Sequence, residues 1–282
     1  MSTHPTDPTT TQHKGAKSYA ALAEAANDWR YTPDANALAN KNILITGAGD
    51  GIGAVAAKTL ASFGANILLL GRTRQKLEAV FDWIEANTAT QAVIVPCDLE
   101  QLGPDTLTAL HDAAADSYGK LHGILHNASL LGPKVPLAHY PVQDWQRVMQ
   151  TNVTAPFLLT QALFDLVDHD EHACIINTSS GVGRKGRAYW GAYSVSKFAT
   201  EGFSQILADE TESGTKIRVY SVNPSGTRTN MRAEAYPLED PLSLPTAEQH
   251  MDLYLYLIEG PTPGKNLPPS GAQLEARSWQ CQ

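Results

Sequence analysis

The sequence predicts an α/β fold: one doubly wound, mostly parallel sheet with helices on both faces. Three observations carry that expectation. Short apolar runs recur along the chain, each bounded by turn residues. Longer segments with apolar residues at helical spacing separate them. A glycine-rich turn stands between the first apolar run and the first of those helices. Strands alternating with helices in this rhythm build βαβ units, and right-handed crossovers wind the sheet in both directions.

The elements follow in order. Residues 1 to about 16 are rich in Thr, Pro, His and Gln. They bury too little apolar surface to offset ordering entropy and read as a disordered arm. From Ser18 to Trp29 the chain is Ala-rich, and Tyr19, Leu22, Ala23 and Ala26 recur at three and four, which predicts a helix packed on the main body. Residues 1–38 are therefore assigned to an arm and residues 39–282 to one folded unit. Asn42 to Thr46 is an apolar run ending in glycines, the first strand, and Gly51 to Phe63 the first helix of the unit. Ala65 to Leu70 is the second strand, followed by a helix from Thr73 to Ala86 with Leu77, Val80, Phe81 and Ile84 on one face. Ala92 to Val95 is the third strand, Leu107 to Tyr118 a helix, and Leu121 to Leu125 the fourth strand. A long helix spans Val142 to Phe164, Ala173 to Asn177 is the fifth strand, and a further helix runs from Ala192 to Glu212. Ile217 to Val222 is the sixth strand. The Pro and charge content of Met231 to Leu244 marks a surface loop, read as a flap over about 231–245, before a helix from Thr246 to Ile258.

Composition narrows the partners. The chain has 282 residues and a net charge of −8, and its lack of a long basic run argues against nucleic acid. Its apolar runs are far shorter than the roughly 18 residues a membrane span needs. The N-terminus lacks the apolar core of a secretion signal. Cys97, Cys174 and Cys281 have no metal-ligand spacing, so no metal is expected, and a reduced cytoplasmic setting fits them.

Ligands of doubly wound sheets bind beyond the carboxyl ends of the strands, and the motifs fall there. After the first strand comes Thr46-Gly47-Ala48-Gly49-Asp50-Gly51-Ile52-Gly53. Glycines let the backbone turn tightly and approach a pyrophosphate, while the helix N-terminus offers N–H donors and a positive dipole end. The second strand ends Leu70-Gly71-Arg72-Thr73-Arg74, with no acid for a ribose 2′-hydroxyl. Arg72 could pair with a 2′-phosphate, which favours NADP over NAD. Asp50 in the turn counts the other way, so NAD stays open.

Tyr193 and Lys197 are four apart and share a helix face. A free tyrosine ionises near a pH of about 10, and a neighbouring ammonium is expected to lower that, giving an acid/base near neutrality. Pro156 lies four residues after Asn152. It deprives the Asn152 carbonyl of its helical donor, so a kink is expected there, with the carbonyl left to hold a water.

With Thr46-Gly47-x-x-x-Gly51-x-Gly53 and Tyr193-x-x-x-Lys197 in one chain, the sequence from about Asn40 onward resembles the short-chain dehydrogenase/reductase family. Runs such as Gly183-Arg184-x-Gly186-Arg187 and Ser196-Lys197-Phe198-Ala199-Thr200-Glu201-Gly202 are most similar to its bacterial YciK-type branch. The resemblance implies a Rossmann-type sheet and hydride transfer between a nicotinamide cofactor and a carbonyl or alcohol. It implies that Asn152, Ser180, Tyr193 and Lys197 are catalytic: Tyr193 as acid/base, Ser180 bonded to the same oxygen, Lys197 tuning Tyr193 and holding the ribose, and Asn152 holding a relay water. It further implies that Asp98 and Leu99 meet the adenine, Asn127 and Ala128 back the cofactor, and Pro224 and Thr229 line the nicotinamide. Three residues depart from the family pattern: His126 replaces an Asn, and Ser129 and Ser225 each replace a Gly. By the same resemblance the protein is a homodimer or homotetramer pairing the helices at Val142–Phe164 and Ala192–Glu212, the latter through Ala192, Phe198, Ala199, Phe203 and Leu207. The competing reading is a dinucleotide-binding sensor or scaffold of the same fold without turnover. Lastly, Arg184, Lys185, Arg187, Arg228 and Arg232 gather near the expected cleft and suggest an anionic substrate. The alternatives are that these side chains are solvated, pair with Glu234, Glu239 and Asp240, or hold a neighbouring subunit.

Overall fold

The structure is a computed structural model that describes residues 20–169 and 171–281. The expected disordered arm, and the start of the first helix at Ser18 and Tyr19, lie outside the described residues. Strands β1 (Asn42–Thr46), β2 (Asn66–Gly71), β3 (Ala92–Pro96), β4 (Gly123–His126), β5 (Ala173–Thr178), β6 (Ile217–Asn223) and β7 (Gln273–Glu275) form one sheet among these residues. Its order is β3-β2-β1-β4-β5-β6-β7, and every pairing is parallel.

Strand side chains alternate between faces, and both faces are covered, so the strands read as continuous apolar runs. Ile43, Ile45, Ile67 and Leu69 enter one core cluster, while Leu44, Leu68 and Leu70 enter the other. Each such side chain is 0% exposed. Full burial of one is worth roughly 1.5–3 kcal/mol. A one-residue slip of register would exchange the two faces, so these runs also fix the pairing of Ile43 with Ile67 and of Thr46 with Leu70.

The covering helices are α1 (Ala20–Ala25), α2 (Gly51–Ser62), α3 (Arg74–Asn87), α4 (Pro104–Tyr118), α5 (Val142–Met149), α6 (Ala155–Ala162), α7 (Phe164–Val167), α8 (Gly191–Thr211), α9 (Asn230–Ala235) and α10 (Met251–Glu259). Four elements differ from expectation. The long helix expected from Val142 to Phe164 is broken: a π-helical turn at Gln150–Thr154 joins α5 to α6. Pro156 in the first turn of α6 has no N–H to give, and the backbone shifts register instead of only kinking. The seventh strand was not expected: β7 has three residues, too few for any alternation to show. The flap is partly helical, holding α9 and a 3₁₀ turn at Pro241–Ser243, with Arg232 paired to Glu239 at 2.6 Å. The last helix begins at Met251, after a 3₁₀ turn at Glu248–His250.

The N-terminal segment is fastened to the C-terminal one. α1 buries Leu22 and Ala25, whereas Ala23 is exposed. Trp29 Nε1 donates to the Glu248 carbonyl at 2.9 Å. Arg30 grips the fully buried Asp252 carboxylate in a fork, Nε to Oδ2 at 2.7 Å and Nη2 to Oδ1 at 3.0 Å. Its remaining donors reach the carbonyls of Ala276, Arg277 and Trp279. Lys265 pairs with Glu259 and sits over the rings of Tyr31 and Tyr256. Among the described residues no helix is long and apolar enough to cross a membrane, and no His/Cys/Asp/Glu group could hold a metal.

Candidate active site

In this strand order the connections from β1 and β4 leave in opposite directions, and a crevice opens at their carboxyl ends. A cleft of about 520 Å³ occupies it, running from Arg72 at one end to Met231 and Trp190 at the other.

The glycine turn shapes the first part. Gly47 has φ +68°, a region other residues avoid, and a Cβ on Gly53 would sit 2.3 Å from the Gly47 carbonyl oxygen. Thr46 and Gly53 lie behind the wall. The Thr46 hydroxyl accepts the backbone N–H of Asn127 and of Ala128, both at 3.0 Å, locking the β1 and β4 ends together. Gly47, Gly51 and Ile52 face the cleft, as do Asn127 and Ala128. Asp50 caps α2 by accepting from Gly51 N at 2.7 Å. Its carboxylate also takes Lys76 and, at 3.1 Å, Asn230. The Lys76 bond, foremost, holds its carboxyl below the usual range. The charge that counted against NADP is thus balanced by a lysine lining the same cleft. Arg72 is largely exposed and donates to Glu100 at 3.2 Å. Glu100 is held more tightly by Arg147, Nε to Oε2 at 2.6 Å. Asp98 accepts from Glu100 N at 3.1 Å and lines the cleft beside the buried Leu99.

The β5 end and α8 bring Ser180, Tyr193 and Lys197 to one wall. Tyr193 and Ser180 face the same cleft, and burial pushes the Tyr193 phenol up to about 12, with the Ser180 hydroxyl working the other way. The expected lowering by Lys197 is therefore corrected. The ammonium turns to the Thr178 carbonyl at 2.7 Å and stands 5.5 Å from the Tyr193 ring centre, so desolvation prevails. Burial brings Lys197 itself down to about 8. Asn152 lies behind, in the π turn. Its Oδ1 accepts Leu130 N at 2.8 Å, and its Nδ2 donates to Leu130 O at 2.9 Å and Ser196 Oγ at 3.0 Å. A second, small cavity is lined by Asn152, Pro156, Lys197 and His126. His126 bonds Thr160 at 2.9 Å, and burial takes it down to about 3, so it is neutral.

Pro224 and Thr229 line the cleft, and Thr229 caps α9 by accepting from Arg232 N at 3.2 Å. Ser225, where the resemblance places a Gly, keeps the left-handed backbone a Gly would have, with φ +60°. Its N–H donates to Asn223 Oδ1 at 2.9 Å and its hydroxyl to Glu275 at 3.2 Å.

Beyond Tyr193 the wall carries an apolar patch of Leu131, Trp190, Met231 and Ala235, with Val182 and Tyr236 packed against them, and Arg232 and Glu234 line the same cleft. The ring centres of Trp190 and Tyr193 are 5.7 Å apart. Of the five basic residues suggested as an anion site, Arg232 lines the cleft and the other four do not. Arg184 pairs with Glu201 and Glu275, Arg232 with Glu239, and Arg228 donates to the Pro241 and Leu244 carbonyls. Arg187 bonds the Tyr236 hydroxyl, and Lys185 is exposed. The sequence reading missed Lys76, Asn230 and the wall residues. Lys76 sits one turn into α3, four residues beyond Arg72, the one signal that could have found it.

A parallel sheet with a glycine-turn crevice and a Ser-Tyr-Lys wall defines a dinucleotide-linked oxidoreductase. The family profile for short chain dehydrogenases matches residues 41–240, and the chain belongs to that family. The uncharacterized oxidoreductase YciK of Escherichia coli K12 is 47% identical over 228 residues, 81% of this chain and 90% of that protein. Among solved structures, a short chain dehydrogenase from Pseudomonas syringae superposes with a TM-score of 0.83 at 47% identity, covering 87% of this chain and 98% of that one. A Shigella flexneri short chain dehydrogenase, complexed with NADP, gives 0.82 at 44% identity, covering 86% and 100%.

Proposed function

We propose that the protein is an NADP-dependent reductase of neutral, apolar carbonyl compounds, with Tyr193 as proton donor. The observation that carries this is the buried Tyr193 and Lys197 lining one cleft with Ser180, at the foot of an apolar wall. Gly47, Gly51 and Ile52 would hold the dinucleotide's pyrophosphate at the start of α2, and Gly53 and Thr46 keep that turn in shape. Asp98 and Leu99 would meet its adenine, and Asn127, Ala128, Pro224 and Thr229 its nicotinamide half. Arg72 and Lys76 flank the far end of the cleft, where a 2′-phosphate would lie, and the Shigella relative carries NADP. When bound, the nicotinamide supplies the hydride.

The protein's own work is proton delivery. With its phenol pushed up to about 12, Tyr193 holds its proton at neutral pH and can give it to a developing alkoxide. Ser180, which lines the same cleft, would bond the substrate oxygen and fix its position. Lys197 would hold the ribose and stabilise the phenolate left after transfer. The Asn152 carbonyl, whose usual helical donor is missing at Pro156, would hold a water in the small cavity beside Lys197 and return the proton from solvent. Reduction is expected to decline above a pH of about 8, where Lys197 loses the charge that would stabilise the phenolate left after transfer. The same reading places the enzyme in the cytoplasm as a homodimer or homotetramer.

The test is a panel of aromatic aldehydes and ketones, each with a carboxylated partner, assayed with NADPH and with NADH at the nicotinamide absorbance band. Turnover of the neutral compounds with NADPH is expected. Preference for the carboxylated partners, or for NADH, would contradict the corresponding part of the reading.

A further inference from the structure

Glu201 is a buried carboxylate outside the proton path described above. It lies on α8 one turn beyond Lys197 and is 5% exposed. Three donors hold it. Oε1 accepts from the Ser179 hydroxyl and from Arg184 Nε at 3.0 Å, and Oε2 accepts from the Ser221 hydroxyl. A carboxylate taken out of water costs several kcal/mol unless it is paired and bonded, and this one is both.

Its partners tie it to the reacting groups. Ser179 stands between Thr178, whose carbonyl takes the Lys197 ammonium, and Ser180, which lines the cleft with Tyr193. Arg184 continues the chain to Glu275 and, at 3.2 Å, to the Leu274 carbonyl of β7. Glu275 then takes Asn223 Nδ2 at 2.8 Å and the Ser225 hydroxyl at 3.2 Å, in a loop that lines the cleft. Lys197, Glu201, Arg184 and Glu275 form a sequence of alternating charge from the helix to the last strand. We propose that Glu201 is a positioning residue for Lys197: its carboxylate, one helical turn away on α8, is the counter-charge of the ammonium, and through Ser179 it holds the strand end that carries Thr178 and Ser180.

The other ionisable groups around Lys197 do not replace it. Tyr193, on the same helix, keeps its proton. His126, across the small cavity from β4, is neutral. Arg184 from the β5 loop is a cation, and Glu275 lies behind it. Burial drives Lys197 down, and Glu201 is the group that opposes this. Replacing the carboxylate by an amide would leave two cations with only Glu275 between them and solvent.

The inference rests on Lys197 serving a bound NADP, so NADPH is the probe. Its affinity is measured by cofactor fluorescence from a pH of about 6 to about 10, spanning the range in which a buried lysine titrates. Wild type should lose affinity as Lys197 gives up its proton near 8, and Lys197→Met should lack that limb, which assigns it. Glu201→Gln should move the midpoint down by about one pH unit, the size a single neighbouring charge produces. Arg184→Met should move it up, and Glu201→Asp should return it toward wild type. Should Glu201→Gln fail to fold, the sign of the Arg184→Met shift decides. Weaker binding at every pH with an unmoved midpoint would show a packing role only and overturn the inference. No NADPH binding by wild type at any pH would overturn the cofactor assignment and this inference together.

Discussion

Arg72 and Lys76 stand four residues apart, where β2 gives way to α3, and both reach the far end of the cleft. Each is already shared with an acid: Arg72 with Glu100, Lys76 with Asp50. Glu100 has Arg147 as its stronger partner, so releasing Arg72 costs little, whereas Lys76 is the first support of the Asp50 carboxylate. Arg72→Ala is therefore expected to weaken NADPH by roughly 1.5–3 kcal/mol, the worth of a charged hydrogen bond, with little effect on NADH. Lys76→Ala should weaken both cofactors, because it also frees a negative charge beside the pyrophosphate site. Titration calorimetry with the two cofactors separates these outcomes, and equal losses in Arg72→Ala would remove it from the 2′-phosphate.

At the scale of elements, the N-terminal segment depends on one fork. Arg30→Ala would leave Asp252, fully buried at the start of α10, without its cation. Breaking a buried pair by removing one partner typically costs about 3–5 kcal/mol. Urea unfolding should show a loss of that order, and a loss under about 1 kcal/mol would mean the clasp is idle. That clasp was invisible in the sequence, since Arg30 and Asp252 meet only after the whole sheet is laid down. The strands that carry the site were legible for the opposite reason. Burial on both faces makes Asn42–Thr46 and Asn66–Gly71 continuous apolar runs, and local chemistry marks the glycine turn between β1 and α2. Tyr193 and Lys197 were legible as a pair on one helix face from their spacing, and as catalytic candidates only through the family resemblance. The direction of Tyr193's ionisation was not, because it depends on how many neighbours exclude water, and spacing does not report that. Pro156 signalled a disturbance at Asn152 but not its form, since a kink and a π turn both dispose of a missing N–H. Glu201 sits four after Lys197 in plain sight, yet its burial needs β6 and Arg184 in place.

For the whole molecule, two properties follow from what is exposed and what is buried. The helix face expected to pair with a second copy is corrected in detail: Ala192 and Leu207 are buried within the protomer. The apolar residues of α8 that face out are Val195, Phe198 and Ile206, joined by Phe157 on α6 and Val142 on α5. Light scattering at micromolar concentration should give a dimer or tetramer, and Phe198→Glu with Ile206→Glu should shift it toward monomer. An oligomer untouched by this double change would place the interface elsewhere. Acid stability follows from buried histidines. Burial takes His126 down to about 3 and His172 and His250 to about 4, against 6.5 for an exposed histidine. Between those values the unfolded chain takes up protons that the folded one refuses. Stability is therefore full above 6.5 and falls as the pH drops toward 4. Urea midpoints across that range should fall with acid, and a flat profile would contradict the burial of neutral imidazoles.

The central claim is that Tyr193 delivers the proton in an NADP-dependent reduction. Tyr193→Phe removes one oxygen and keeps the ring that packs against Trp190. The decisive measurement is single-turnover oxidation of bound NADPH by a neutral aromatic aldehyde that wild type reduces, in wild type and in this variant. Loss of a positioned proton donor costs on the order of a hundredfold or more. The account predicts that loss, with the NADPH dissociation constant unchanged within about twofold, since the ring and its packing remain. A variant that reduces the aldehyde at more than about a tenth of the wild-type rate would contradict it, because the proton would then have another source.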